Sequence, residues 1–316
     1  MTYTQKRSLK LVLRVGISAA LLIWLLFKTE SKEILDSLAE ISPLTWATAF
    51  LLYVCTQLIS SFRWYIIAHG LGFKGKWSTY LGYYFVGMYF NLFLPTSIGG
   101  DLLKVLFLSR EDKKRLKATY SVLADRVFGL AAMFLLGSTA VIADPSALPH
   151  HLRTILLIVS VAVLAIPLCL LFVNRVIKNQ WREIGKRVDI SLQLLKNKKV
   201  VGSALLLSLI LQFIGMGIIV IMAKDMELTP ASSFYFAAYP MIALLTFLPI
   251  SLNGIGIREG GFVFFMNLKG VPIEKALTLS FSFFAVQVAA ALMGGGAYIF
   301  GAHKKSIPAA AITHGN

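Results

Sequence analysis

Residues 90–110 read FNLFLPTSIGGDLLKVLFLSR. Both ends are apolar enough for a membrane helix, yet the middle holds Pro95, Gly99, Gly100, Asp101 and Lys104. Proline inside a helix removes a backbone donor and clashes with the preceding turn, so this stretch predicts two helices that meet at a break. Beyond the proline, residues 97–108 would make a helix of roughly 18 Å, too short to cross the ~30 Å of a bilayer core comfortably. A second apolar region, 232–268, is interrupted in the same way by Pro249. Its FLPISL (247–252) answers FLPTSI (93–98) in the first.

Composition sets the surroundings of these breaks. The 316 residues are 57% hydrophobic and 15% charged, with a mean hydropathy of +0.74, which excludes an ordinary soluble domain and predicts an all-α, polytopic membrane protein. Apolar segments near 9–27, 43–67, 118–142, 152–173, 200–222 and 276–300 are each long enough to span. With the two interrupted regions they predict about six spanning helices plus two re-entrant helical hairpins, 78–109 and 232–268. The N-terminal run ends in WLLFKTESKE without a small-residue cleavage site and reads as a retained anchor. The formal charge of +16 does not indicate nucleic acid, because the basic residues sit in short loops between apolar segments. Cys55 and Cys169 lie inside such segments, so no disulfide framework follows. The His150–His151 pair lacks neighbouring ligand types, and no metal site or cofactor is expected.

Charge bias gives the topology. With the N-terminus cytoplasmic and both interrupted regions returning to their side of entry, twenty-one Lys and Arg fall on the cytoplasmic side and six opposite. That is a strong positive-inside asymmetry, and it places both termini in the cytoplasm of a cell that carries the protein in its cytoplasmic (inner) membrane. The first hairpin then enters from the cytoplasm and the second from outside, the pattern of an inverted-repeat transporter. The whole chain, 1–316, reads as one transmembrane domain. Its first half is 9–173 and its second 200–300, joined by a basic cytoplasmic linker, 174–199, that contains the amphipathic WREIGKRVDISLQLL.

A charge in the hydrocarbon region costs several kcal/mol, about 2.5–3.5 on insertion scales, so intramembrane charges are the candidates for function. They are Asp101, Lys104, Asp125, Arg126, Arg258 and Glu259. Arg63 lies nearer a helix end and reads as snorkelling, and Lys104 has the same option. After Pro95, Thr96 or Ser97 would cap a new helix, and Gly99 and Gly100 would leave its first turn open to a ligand. A helix N-terminus with exposed N–H groups binds anions. Around Pro249, Ser251, Asn253, Gly254 and Gly256 repeat the design and Arg258 follows, a guanidinium suited to phosphate. Asp101 would pair with Arg126 or with Lys104 at i+3. Asp125 and Arg126, being adjacent, would each pair elsewhere, and the same is expected of Arg258 and Glu259. An alternative for all six is that they form structural ion pairs holding the hairpins together. Gln57, Gln212 and Gln287 would bond across helices or line a cavity. Trp46, Trp64, Trp77 and Tyr80 read as interface anchors, and AALMGGGAY (290–298) as tight helix packing.

NLFLPTSIGGDLLK (91–104), ADRVFGL (124–130) and SLNGIGIREGGFVFF (251–265), in that order, resemble the transmembrane domain shared by lysylphosphatidylglycerol synthases and stand-alone flippase-like proteins, over roughly residues 10–300. The resemblance implies two re-entrant hairpins meeting near the midplane and movement of an anionic or aminoacylated lipid between leaflets. It carries over to Pro95, Gly99, Gly100 and Asp101, to Asp125 and Arg126, and to Asn253, Gly254, Arg258 and Glu259. Bifunctional members have an added soluble domain for lysine transfer, and no segment of this sequence corresponds to it.

The expected function is therefore a lipid flippase, not an enzyme, with Arg126, Arg258 and the half-helix ends holding a lipid phosphate. The lipid would be an anionic or aminoacylated phospholipid or a polyprenyl-phosphate-linked lipid. The acids would take up protons if transport is coupled. Two alternatives stand beside it: a membrane enzyme of lipid modification, and a non-transporting scaffold for a synthase or glycosyltransferase partner. Homo-oligomers are compatible with each.

Overall fold

The computed structural model describes residues 31–93, 99–112, 114–177, 193–247 and 253–299, with residues 16, 18, 20, 21, 23–25, 190 and 251. Pro95 and Pro249 each fall between the ends of two described helices. In chain order the helices are α1 (Ser31–Ala39), α2 (Pro43–Gly70), α3 (Trp77–Phe93), α4 (Gly99–Asp112), α5 (Arg115–Ala143), α6 (His150–Ile177), α7 (Lys198–Asp225), α8 (Ser232–Phe247), α9 (Ile257–Asn267) and α10 (Ile273–Ile299). No strand occurs among the described residues. Thus α3 stops before Pro95 and α4 starts after it, while α8 stops before Pro249 and α9 starts after it. Pro95, Ser97 and Pro249 themselves lie outside the described residues, as do the N-terminal run up to residue 15 and most of the amphipathic linker.

Length separates two kinds of helix. α2, α5, α7 and α10 have 28, 29, 28 and 27 residues and are apolar enough to cross a membrane. Each is about 40 Å long at 1.5 Å per residue. α3, α4, α8 and α9 have 17, 14, 16 and 11 residues, so the last would reach only about 17 Å. α6 matches the expected segment 152–173, with side chains described to residue 165. α2 starts sharply: Pro43 occupies the first turn and Ser42 Oγ accepts the Thr45 N–H at 3.2 Å, the arrangement that suits proline at a helix start.

Packing closes around the long helices. α2 lies chiefly on α7, α5 on α7 and α8, and α10 on α3 and α9. Glycines set the closest approaches. A Cβ on Gly294 of α10 would overlap the Phe85 carbonyl of α3, and one on Gly137 of α5 would lie 2.8 Å from the Pro240 ring in α8. Small residues permit such backbone contact in membranes, which accounts for the glycine run in α10.

Two apolar clusters occupy opposite ends. One gathers Met133, Phe134, Met216, Ile219, Phe234, Phe262 and Phe283 with Leu148, Met226 and Val271 from the loops at one end. The other gathers Trp64, Ile67, Leu71, Tyr80, Tyr83, Phe107, Leu108, Ala118 and Leu194. Trp64 and Tyr80 are fully buried there, at 0% and 1% exposure, and do not act as interface anchors. Trp64 Nε1 donates to Ser121 Oγ at 3.1 Å and the two rings meet edge to face at 5.1 Å. Indole and phenol rings contribute more area to a core than any aliphatic side chain.

Candidate functional site

Between the two apolar clusters each of three long helices turns polar at mid-length. α2 presents Gln57, Ser60 and Arg63, α5 presents Asp125, Arg126 and Gly129, and α7 presents Ser208 and Gln212. Together with Tyr84 and Asn91 of α3, Lys104 of α4 and Tyr239 and Thr246 of α8, these residues other than Ser208 line a cavity of about 350 Å³. Apolar material above and below confines the polar groups to one level.

Ion pairing there is extensive. Asp101 Oδ2 accepts from Arg126 Nε and lies 2.7 Å from Arg126 Nη2, while Asp101 Oδ1 lies 3.4 Å from Lys104 Nζ. Both expected partners of Asp101 are thus realised at once. Asp125 pairs with Arg63, whose Nε donates to Oδ1 at 2.7 Å and whose Nη1 donates to Ser208 Oγ at 2.7 Å. Arg63 therefore ties the second half of α2 to α5 and α7. Gln212 Nε2 donates to the Gly129 carbonyl at 3.1 Å, the cross-helix bond expected of it.

Two lysine and arginine expectations are corrected. Arg63 and Lys104 do not snorkel; they are 4% and 7% exposed, and Lys104 Nζ sits 3.7 Å from the Tyr84 ring centroid. The cause is direction. Helical side chains tilt toward the N-terminus of their own helix, and both residues belong to helices whose N-terminal ends lead back to the cavity level. The omission of Arg63 from the candidate set follows from judging it by distance to the helix end alone.

The glycine reading of the first break also changes. Gly100 does not leave an open turn, because its missing side chain admits the backbone of Gly87 in α3, and a Cβ there would overlap the Gly87 carbonyl. Its N–H donates to Asn91 Oδ1 at 2.6 Å. Gly99 is half-buried at the first position of α4. Asn91 was absent from the candidates, yet its own carbonyl accepts from Asn253 Nδ2 at 2.8 Å, so the two broken regions touch through it.

At the second break, Asn253, Gly254 and Gly256 have φ of +50°, +76° and +84°. This is the left-handed region where glycine carries no steric penalty and asparagine little. The N-terminus of α9 is already served by the chain: Glu259 Oε2 accepts the Gly256 N–H at 2.6 Å, and Glu259 Oε1 accepts from Arg258 Nε at 3.0 Å and Nη2 at 2.5 Å. Arg258 and Glu259 thus pair with each other and not with distant partners. The guanidinium also stacks on Phe284 at 4.0 Å, and neither residue lines the cavity. The carboxylate fills the anion position that the helix end offers.

The arrangement can hold an anion at the level of Lys104, Arg63 and Arg126. Of these side chains Arg126 is the most accessible, with 36% relative exposure against 5% for Arg63 and 9% for Lys104. Among the described residues no group of three or more His, Cys, Asp or Glu is placed to hold a metal ion.

A family model described as the lysylphosphatidylglycerol synthase TM region matches residues 11–295. The chain belongs to that family. Membership and the four long apolar helices make it a multi-pass membrane protein of a family linked to lipid modification or translocation. No curated protein matches the sequence significantly. In this member of the LPG-synthase TM family all three of the sequence motifs bear on the cavity: the first and second supply its charges other than Arg63, and the third supplies the contact of Asn253 to Asn91.

Proposed function

We propose that the protein is a lipid translocator of the cytoplasmic membrane, which passes a phosphate-bearing headgroup through the mid-helix cavity while the tails stay in the bilayer. One observation carries this reading: Arg63, Lys104 and Arg126 line a cavity in the middle part of the spanning helices, at the place where both proline-broken regions touch. Such a concentration of charge in the hydrocarbon region is costly unless it serves a polar passenger. The contact between the breaks supports re-entrant hairpins of opposite sense, with both termini cytoplasmic as the loop charges suggest. Arg126 is the primary phosphate ligand, with Lys104 and Arg63 behind it. Arg258 and Glu259 brace the second hairpin.

The test is lipid movement in proteoliposomes of the purified protein, read by quenching of a fluorescent headgroup. Wild type is expected to equilibrate the labelled lipid across the bilayer and Arg126→Gln to lose most of that rate, at least tenfold, while remaining folded. Folded wild-type protein that moves no lipid would overturn translocation and favour the scaffold alternative.

A further inference from the structure

Tyr53, Gln57, Ser60 and Arg63 follow one another along α2 at intervals of four, three and three residues, and all four line the cavity. That spacing makes a single stripe on one helix face, and from Tyr53 to Arg63 the stripe runs about 15 Å. The cavity is therefore long, and its ends are built differently. Arg63 marks one end. Its partner Asp125 precedes Arg126 in α5, and Arg126 shares Asp101 with Lys104, so the three cations gather there. Tyr53 marks the other end. Tyr239 of α8 stands level with it, because both rings meet Phe283 of α10 edge to face, at 6.5 and 5.8 Å.

Both phenols are half-buried and line the cavity. Among the described residues neither hydroxyl has a hydrogen-bond partner. One turn along the stripe, Gln57 Nε2 donates to Thr56 Oγ1 at 3.1 Å, which leaves the amide oxygen to accept. A tyrosine set against a core normally finds a partner for its hydroxyl. A phosphate held at Arg126 is too small to reach this far, so the partner belongs to whatever is joined to the phosphate.

We infer that Tyr53, Tyr239 and Gln57 form a second subsite, which takes a hydroxyl-bearing group linked to the lipid through its phosphate, of the glycerol or polyol-ring kind. The inference rests on the headgroup reading of the cavity and names the part of the passenger beyond the phosphate. The match is one of donors and acceptors. Each phenol donates once and accepts, the Gln57 oxygen accepts, and a hydroxyl does both. An ammonium group only donates and leaves both phenolic protons unserved; a methyl group does neither. Water that serves these groups is displaced without loss by a headgroup that reproduces its bonds, and at a loss by one that does not.

The experiment holds lipid charge constant. Detergent-purified full-length protein is titrated with phosphatidylglycerol, phosphatidylinositol and phosphatidylmethanol of matched chains. All three are phosphodiesters of equal charge, and only the last lacks headgroup hydroxyls. At least one of the first two is expected to bind roughly tenfold tighter than phosphatidylmethanol, and which one does so separates glycerol from a ring. Tyr53→Phe combined with Tyr239→Phe keeps both rings and removes two oxygens. It should erase that preference and leave the affinity for phosphatidylmethanol unchanged, whereas Arg126→Gln should weaken all three lipids alike.

Equal binding of the three lipids, lost in Arg126→Gln, would overturn the subsite and leave the phosphate reading standing. A preference that survives the double phenylalanine variant would overturn it too, as would loss of phosphatidylmethanol binding in that variant, which would place the phenols at the phosphate or in the fold. Folded wild type that binds none of the three would remove the phosphate reading and the subsite with it.

Discussion

Arg63 shows most directly how a single residue holds the site. Its guanidinium is bonded to Asp125 and Ser208, and it is almost wholly shielded from solvent. Removing one member of a buried pair leaves the other charge without compensation, which costs about 3–5 kcal/mol. Arg63→Met is therefore expected to lower the unfolding temperature of the solubilised protein sharply, and Arg63→Met combined with Asp125→Leu to recover most of the loss. A double variant no more stable than the single one would show that the pair is not what α2 and α5 share. Of the site charges, Asp101, Lys104, Asp125 and Arg126 were legible in the sequence because any charge within an apolar run attracts notice. Arg63 and Asn91 were not. The first sits close enough to a helix end to be taken for a snorkelling residue, and the second is an uncharged residue whose role depends on a contact 162 positions away.

At the scale of elements, both prolines were readable as boundaries, and each falls between two described helices. What surrounds each break was not. A glycine pair after a helix start reads as an exposed turn, and only the position of α3 reveals that Gly100 is a contact surface between helices. Gly100→Ala should force α3 and α4 apart and destabilise by about 1–3 kcal/mol, the usual cost of overpacking, seen as a lower midpoint of thermal unfolding. Gly202→Ala, on α7 with open space around the added methyl, serves as the control and should be neutral or slightly stabilising, since alanine is the better helix former. Equal effects at both positions would contradict the close α3–α4 contact. Likewise α9 begins on glycines that the sequence marked as ligand-facing, but its N-terminal charge is met by the chain's own Glu259. Sequence patterns identify an anion-binding terminus; they do not say whether the anion is internal.

Across the whole molecule, loops at one end are fastened by two aspartates, Asp225 at the last position of α7 and Asp144 just beyond α5. The Asp225 carboxylate accepts the Ser42 N–H at 2.6 Å, which joins the end of α7 to the start of α2. The pKa of Asp144 is held below the ordinary aspartate value by the Ser146 hydroxyl and then by Ser233 of α8, whose Oγ donates at 2.5 Å. A depressed folded-state pKa gives stability that is fully present above the unfolded value of about 3.9 and is lost as pH falls through the lower, folded one. Unfolding temperature should therefore decline as pH drops below about 4, and the Asp144→Asn variant should show a shallower decline. An identical acid profile for variant and wild type would show that this fastening does not report on global stability. The all-helical class and the membrane habit were plain from hydropathy. The stacking of two apolar clusters around a polar level was not, because it depends on which residues of different helices share a depth.

The bond from Asn253 to the Asn91 carbonyl has a consequence for how the chain assembles. Asn91 stands four residues before Pro95, which has no backbone N–H to offer its carbonyl, and the donor that serves that carbonyl comes from the other half of the sequence. The second half thus finishes a helix of the first, as one piece of a dovetail joint is closed only by its mate. Separately produced halves, divided within the 174–199 linker, are expected to be degraded or to aggregate when made alone. Made together they should recover a joined, lipid-binding pair, and Asn253→Ala should weaken that reunion more than it weakens the uncut chain.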